Sequence, residues 1–212
     1  MKRLFTFLAA LVLGSFLMAQ NFNGVIEFRY TNQNDTTLNT YSVKGKKVRL
    51  DQYNKKTKTV EGSFLFDLDG AEVKFLNPKR KIWGSQKSET PQVIRGQCVV
   101  SKGNGIKTIA GIKCNEYVVK NSAENTVITY WISDSKYDFF PALVKLWNRK
   151  DKQSVYFSQI KIVGQGAMPM LSEEKQLTDG KLLTRLEVIK ISTVVPDAST
   201  FEIPAGYSKL DQ

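Results

Sequence analysis

Polar and apolar residues alternate with a period of two through most of this chain, the spacing of strands that bury one face. In 25–31, Ile26, Phe28 and Tyr30 fall on one side and Glu27 and Arg29 on the other. Two more strands are predicted over 38–44 and 46–53, the second setting Val48 and Leu50 against Lys47, Arg49 and Asp51. Phe64, Phe66 and Leu68 share a face of 60–68. Asp69-Gly70 is a tight-turn signal that folds the chain back into 71–76, with Val73 and Phe75 inward. Asn77-Pro78 interrupts the pattern and 80–85 resumes it. The first part of the chain therefore predicts an antiparallel meander.

The stretch 107–133 predicts a hairpin on which the rest of the sheet is built out to either side. Ile112 to Lys120 and Thr126 to Ser133 are rich in β-branched and aromatic residues, and 121–125 is turn chemistry. Before it, Thr90-Pro91 predicts one or two helical turns over 92–95, and Gly103 and Gly105 predict a loop. After it the period changes. Phe140, Leu143, Val144 and Trp147 recur at helical spacing, with Asp138 placed to cap and Lys145 the only charge. A helix apolar nearly all round is buried or covers an apolar surface, so 139–147 is a core element or the cover of a ligand cavity. The chain then reads as strand over 153–162 and loop over 164–170. Its longest β-rich segment is 182–193, where the apolar parity changes between Val188 and Ile189 and predicts a bulge. The last strand is 201–207, with Pro204 marking an edge. The expectation is a mainly β fold: a curved antiparallel sheet or half-open β-barrel of about ten strands, with one or two short helices as lid or plug.

Residues 1–19 have the form of a signal peptide, with Lys2 and Arg3 before an apolar run to Met18 and a cut after Ala19. No cysteine stands at the cut for lipid attachment. Residues 20–212 predict one domain, exported to the periplasm or beyond. The net charge of +11 suits anionic envelope components, and its lysines are scattered along strands and turns. No basic helix or nucleic-acid motif accompanies them, so nucleic acid is not an expected partner. Two cysteines in an exported chain predict a Cys98–Cys114 disulfide, with two separate buried thiols as the alternative.

The chain has no histidine, which removes Ser-His-Asp and Cys-His catalysis and His-metal sites together. No metal or other cofactor is expected. Asp67 and Asp69 lack the later positions of a calcium loop. Gly103 to Thr108 lacks the Gly-Lys pair of a phosphate loop and precedes a strand rather than a helix. No catalytic residues are assigned, although a carboxylate pair brought together by the fold would support hydrolysis. What stands out is large apolar side chains under little covering helix: Phe64, Phe66, Phe75, Trp83, Trp131, Phe139, Phe140, Leu143, Trp147, Met168 and Met170. Such groups fill a core or line an apolar cavity.

The phrases KTIAGIKCNEYVVK (107–120), TVITYWISD (126–134) and FEIPAGYSK (201–209), with KKVRLDQ (46–52) and VKFLNPKRK (73–81), resemble a secreted domain-of-unknown-function family common in Bacteroidetes. That resemblance covers most of the chain and implies a fold similar to the LolA/LolB lipoprotein carriers, half-open barrels that hold acyl chains under a helical lid. It makes 139–147 lid or plug, matches Cys114 but not Cys98 to the family pattern, and implies lipid or an acylated protein as partner. The competing expectations are an exported binding or carrier protein for an apolar ligand, an envelope interaction module with a filled core, and a carboxylate-dependent hydrolase.

Overall fold

The computed structural model describes residues 21–86, 93–133, 136–162 and 166–210. The leader and residues 87–92, which carry the start of the predicted helix, lie outside the described residues; 93–95 are not helical. Among the described residues twelve strands form one sheet: β1 (Gly24–Asn32), β2 (Thr36–Lys44), β3 (Lys47–Tyr53), β4 (Val60–Asp67), β5 (Glu72–Asn77), β6 (Ile82–Ser85), β7 (Val99–Ile109), β8 (Ile112–Asn121), β9 (Thr126–Ser133), β10 (Met168–Gln176), β11 (Leu182–Ser192) and β12 (Ser208–Lys209). Two helices, α1 (Phe139–Trp147) and α2 (Lys152–Phe157), lie between β9 and β10 in the chain. The spatial order is β12-β6-β5-β4-β3-β2-β1-β11-β10-β9-β8-β7. Only the short β12–β6 pair is parallel, and β12 and β7 are edges, so the sheet is not closed.

One apolar face of so many strands cannot be left to water. The inward positions of the meander (Ile26, Phe28, Tyr41, Val43, Val48, Leu50, Phe66, Val73) share a core with Val119, Ile128, Tyr130 and Val188 from the other end of the order. Leu50 on β3 and Tyr130 on β9 stand five strand spacings apart, about 24 Å on a flat sheet, yet border the same cavity. The sheet therefore curls, with α1 and α2 on its concave side. The C-terminal segment crosses the convex side, where Arg49 Nη1 donates to the Thr200 carbonyl at 3.1 Å and Phe201 is buried.

The predicted meander, the Asp69-Gly70 hairpin and the β8–β9 hairpin are all present. So is the bulge: Glu27 pairs with Lys190 and Phe28 with Val188, skipping Ile189. Other expectations are corrected. The β8–β9 hairpin lies near one end of the sheet with only β7 beyond it. Gly103 and Gly105 lie inside β7, at a register shift between Lys102 and Ile106. A Cβ at Gly105 would fall 2.6 Å from the Trp131 ring, so the glycines serve a close approach within a strand rather than a loop. Residues 168–176 are strand β10, and 201–207 holds the end of a 3-10 turn (Ala198–Phe201) instead of a strand.

The Cys98–Cys114 disulfide is not formed. Cys114 pairs across the ladder with Lys107, whereas Cys98 sits before β7 beside Asn121, whose Nδ2 is 3.8 Å from its sulfur. Seven residues of β8 separate Cys114 from Asn121, about 23 Å and far outside bridging distance.

Candidate functional site

The helical cover is built from two short elements with different supports. Asp138 does not cap α1: it is itself helical, and its Oδ1 lies where a Cβ on Gly166 would come within 2.2 Å. Pro141 is tolerated because it sits in the first turn, where an N–H has no helical partner. Asn148 ends α1 in the left-handed conformation (φ 49°), its N–H donating to the Val144 carbonyl at 3.0 Å. Asp151 then starts α2, Oδ1 accepting from the Ser154 N–H at 2.9 Å and Oδ2 from the Ser154 hydroxyl at 3.0 Å. The predicted strand over 153–162 is thus corrected to a helix and a turn. Gln153, Tyr156, Phe157 and Ile160 are buried at the i, i+3, i+4, i+7 spacing of a helix face.

Packing holds α1 down. Trp147 stands 5.3 Å from Phe64 and 5.2 Å from Phe66 between ring centroids, and Phe140 stands 5.5 Å from Phe157 and 6.3 Å from Tyr41. Hydrogen bonds hold α2. The buried Tyr130 hydroxyl donates to the Gln153 carbonyl at 2.7 Å. Gln153 Nε2 donates to Thr184 Oγ1 at 2.7 Å, its Oε1 accepts from the Ser172 hydroxyl, and the Thr184 hydroxyl donates to Glu174 Oε2 at 2.9 Å. The Tyr156 hydroxyl donates to Glu124 at 2.5 Å, and Lys152 Nζ lies 3.6 Å from the same carboxylate. The Tyr156 bond is the main reason the Glu124 carboxyl sits below the usual range, with the Arg95 N–H and Lys152 adding to it. Burial pushes the Tyr130, Tyr41 and Tyr156 phenols up, so all three are neutral near pH 7.

Between this cover and the sheet lies a cavity of about 210 Å³. Its apolar wall includes Phe28, Tyr41, Leu50, Phe140, Leu143 and Phe157, and its polar wall Gln52, Arg149, Asp151, Gln153 and Ser154. A more open recess of about 390 Å³ shares Gln52, Trp147, Arg149 and Asp151 with it and adds Phe64, Gln86, Asn148 and Lys150. The side chain of Arg149 lies between them, its Nε 2.9 Å from Asp151 Oδ2 and its guanidinium 4.6 Å from the Trp147 ring centroid.

Of the residues singled out from the sequence, Phe140, Leu143 and Trp147 line the cavity. Phe64 borders the recess and, with Phe66, backs Trp147. Phe139, Met168 and Met170 are core, and Phe75 packs under Gly84, where a Cβ would fall 2.6 Å from its ring. Strand alternation puts Trp83 and Trp131 on the convex side, under Lys209 and Lys107, whose Nζ atoms stand 5.6 and 4.1 Å from the ring centroids. Sequence reasoning missed Tyr130, Arg149, Asp151 and Gln153. The Asp151-x-x-Ser154 cap followed by a helical burial pattern was the signal available for the last two. Among the described residues no group of three or more His, Cys, Asp or Glu side chains could hold a metal, and no helix is long and apolar enough to cross a membrane.

Comparison with solved structures finds distant similarities. The Pseudomonas aeruginosa MucA/MucB complex matches 88% of this chain at 11% identity and TM-score 0.49, and this chain spans 58% of the matched chain's length. A LolA superfamily protein from Nitrosomonas europaea matches 87% of this chain and 91% of its own at 8% identity and TM-score 0.36. A DUF1329 family protein from Desulfovibrio piger matches 84% and 89%, at 12% identity and TM-score 0.36. A search of curated proteins finds no match. Over residues 22–207, including the β8–β9 hairpin, both covering helices and the C-terminal segment, the chain belongs to the family described as Domain of unknown function (DUF4412).

Proposed function

We propose that this chain is an exported binding or carrier protein for an apolar chain, held between the concave face of the sheet and the α1–α2 cover. The observation that carries this reading is the cavity itself: a partly enclosed space beneath a helix whose inward residues, Phe140, Leu143 and Trp147, are apolar. On the polar wall Gln153 and Ser154 are already hydrogen-bonded within the protein, to Thr184 and Ser172 and to Asp151, which favours the apolar wall as the surface for a ligand chain. The export leader read from residues 1–19 supports an activity in the periplasm or beyond. In such a compartment lipids and acylated proteins are the apolar cargo.

One observation favours a second reading, the interaction module with a filled core. At about 210 Å³ the cavity has room for a short apolar group. That is an alkyl segment, smaller than ordinary ligand sites of about 300–1,000 Å³. A long acyl chain would need α1 to lift. The test is native mass spectrometry of the mature chain purified from an envelope fraction, followed by titration of the delipidated protein with a fluorescent fatty acid. A bound acyl species near unit stoichiometry, or saturable uptake, is the expected result. A clean apo mass with no uptake overturns the carrier reading in favour of the interaction module.

A further inference from the structure

The cavity changes character along its length, and we infer that its ligand is a single-chain amphiphile whose anionic head group is bound by Arg149 at the mouth; this rests on the reading above of the cavity as a site for an alkyl chain. The inner cavity alone takes its apolar wall from Phe28, Tyr41, Leu50, Phe140, Leu143 and Phe157. The residues it shares with the outer recess are Gln52, Trp147, Arg149 and Asp151. An alkyl chain inside therefore ends beside a guanidinium.

Arg149 is the cation shared by the cavity and the recess. Gln153 is committed to Thr184, Ser172 and Tyr130, and Ser154 to Asp151. Arg149 is 45% exposed, and among the described residues Asp151 is its one ion-pair partner, through Nε. A guanidinium has five N–H donors in a planar fork, so the Asp151 contact leaves the terminal nitrogens for a ligand. The guanidinium carbon lies over the Trp147 ring, a cation–π contact that holds the fork at the mouth. Asp151 is in turn fixed by capping α2, so the guanidinium is oriented from two sides. A rigid fork of this kind suits bidentate carboxylate or phosphate. Lys150 in the same recess and the +11 charge of the chain favour an anion over a cation there.

The chemistry named is a negatively charged oxygen-rich head on one alkyl chain. Calorimetric titration of the wild-type chain and of Arg149→Gln with decanoate, monodecyl phosphate and 1-decanol, near neutral pH and at low salt, tests it. The expected result is that at least one anionic ligand binds about tenfold tighter than 1-decanol, the worth of one charge-assisted pair. Arg149→Gln removes that preference, the anionic ligand losing about tenfold more affinity than 1-decanol does. The better of the two anionic ligands then identifies a carboxylate or a phosphate head. Equal affinity for all three ligands, or a preference that survives Arg149→Gln, overturns the head-group inference while the alkyl site stands. Failure of all three to bind the wild-type chain overturns the apolar-cavity reading beneath it.

Discussion

α1 and α2 lie in succession over the concave face, yet α1 is held by rings and α2 by hydrogen bonds. The residues of α1 that face the sheet are Phe139, Phe140, Leu143 and Trp147, packed against Tyr41, Phe64, Phe66 and Phe157. Such contact is non-directional, and its strength follows the apolar area covered. The ties of α2 run from named donors to named acceptors: Tyr130 to Gln153, Gln153 to Thr184, Tyr156 to Glu124. Their strength falls steeply with misalignment. A cover made this way has a fixed side and a side that can shift while keeping most of its contacts. The cavity lies between the two, bordered by Phe140, Leu143, Val144 and Trp147 of α1 and by Gln153, Ser154 and Phe157 of α2. On the carrier reading, enlargement to admit a longer chain falls to α1.

The largest test of the comparison is on the packed side. Phe139 is 4% exposed and touches the rings of Phe22, Tyr41, Tyr137 and Phe140. Phe139→Ala is expected to cost about 3–5 kcal/mol in chemical denaturation, with no dependence on pH between the acidic and neutral range. A loss below the cost of an ordinary core truncation would show that α1 contributes little to the fold.

On the bonded side the expected effect is smaller and carries a pH signature. Tyr156→Phe removes one hydrogen bond to a carboxylate, worth about 1–2 kcal/mol. Glu124 is held below its unfolded value of about 4.3, mainly by that bond. Its contribution is therefore complete above the unfolded value and is lost as pH falls through the lowered folded value. The gap in stability between wild type and Tyr156→Phe should be constant from neutral pH down to about the unfolded value and shrink as pH falls from there through the lowered folded value. A gap that is flat across the acid range would mean that the bond does not depend on the charge of Glu124.

Much of the sheet was legible because alternation reports a half-buried strand directly, as in Ile26, Phe28 and Tyr30, and a change of parity at Ile189 reports a bulge. Legibility failed where one signal serves two structures. Gly103 and Gly105 read as loop residues, but they are missing side chains that let β7 pass over Trp131 and Glu116. Apolar residues in 153–162 read as strand because the run is short, and only the buried polar Gln153 completes the helical face. At the cavity, α1 was visible as an apolar helix from its spacing. Its polar mouth was not, because Arg149 and Asp151 belong to an ordinary charged turn until the fold sets them beside Gln52 of β3. Cys98 and Cys114 invited a pairing that the β7–β8 register forbids, a long-range geometry that no local pattern carries.

The smallest expected effect separates the two roles of Asp151, which caps α2 and pairs with Arg149. Asp151→Ala removes both and is expected to cost about 1 kcal/mol, the ordinary worth of a helix N-cap. Asp151→Asn keeps an oxygen that accepts from the Ser154 N–H and loses the charge, its amide nitrogen meeting the Ser154 hydroxyl as a donor where Oδ2 accepted. Because the Arg149–Asp151 pair is 45% and 34% exposed, its loss should be nearly silent in stability. The denaturation midpoint should therefore fall for Ala and stay close to wild type for Asn, with the slope unchanged in both. If Asn falls as far as Ala, the charge pair and not the cap is what holds the start of α2. The bonded side of the cover would then depend on salt in the way the packed side does not.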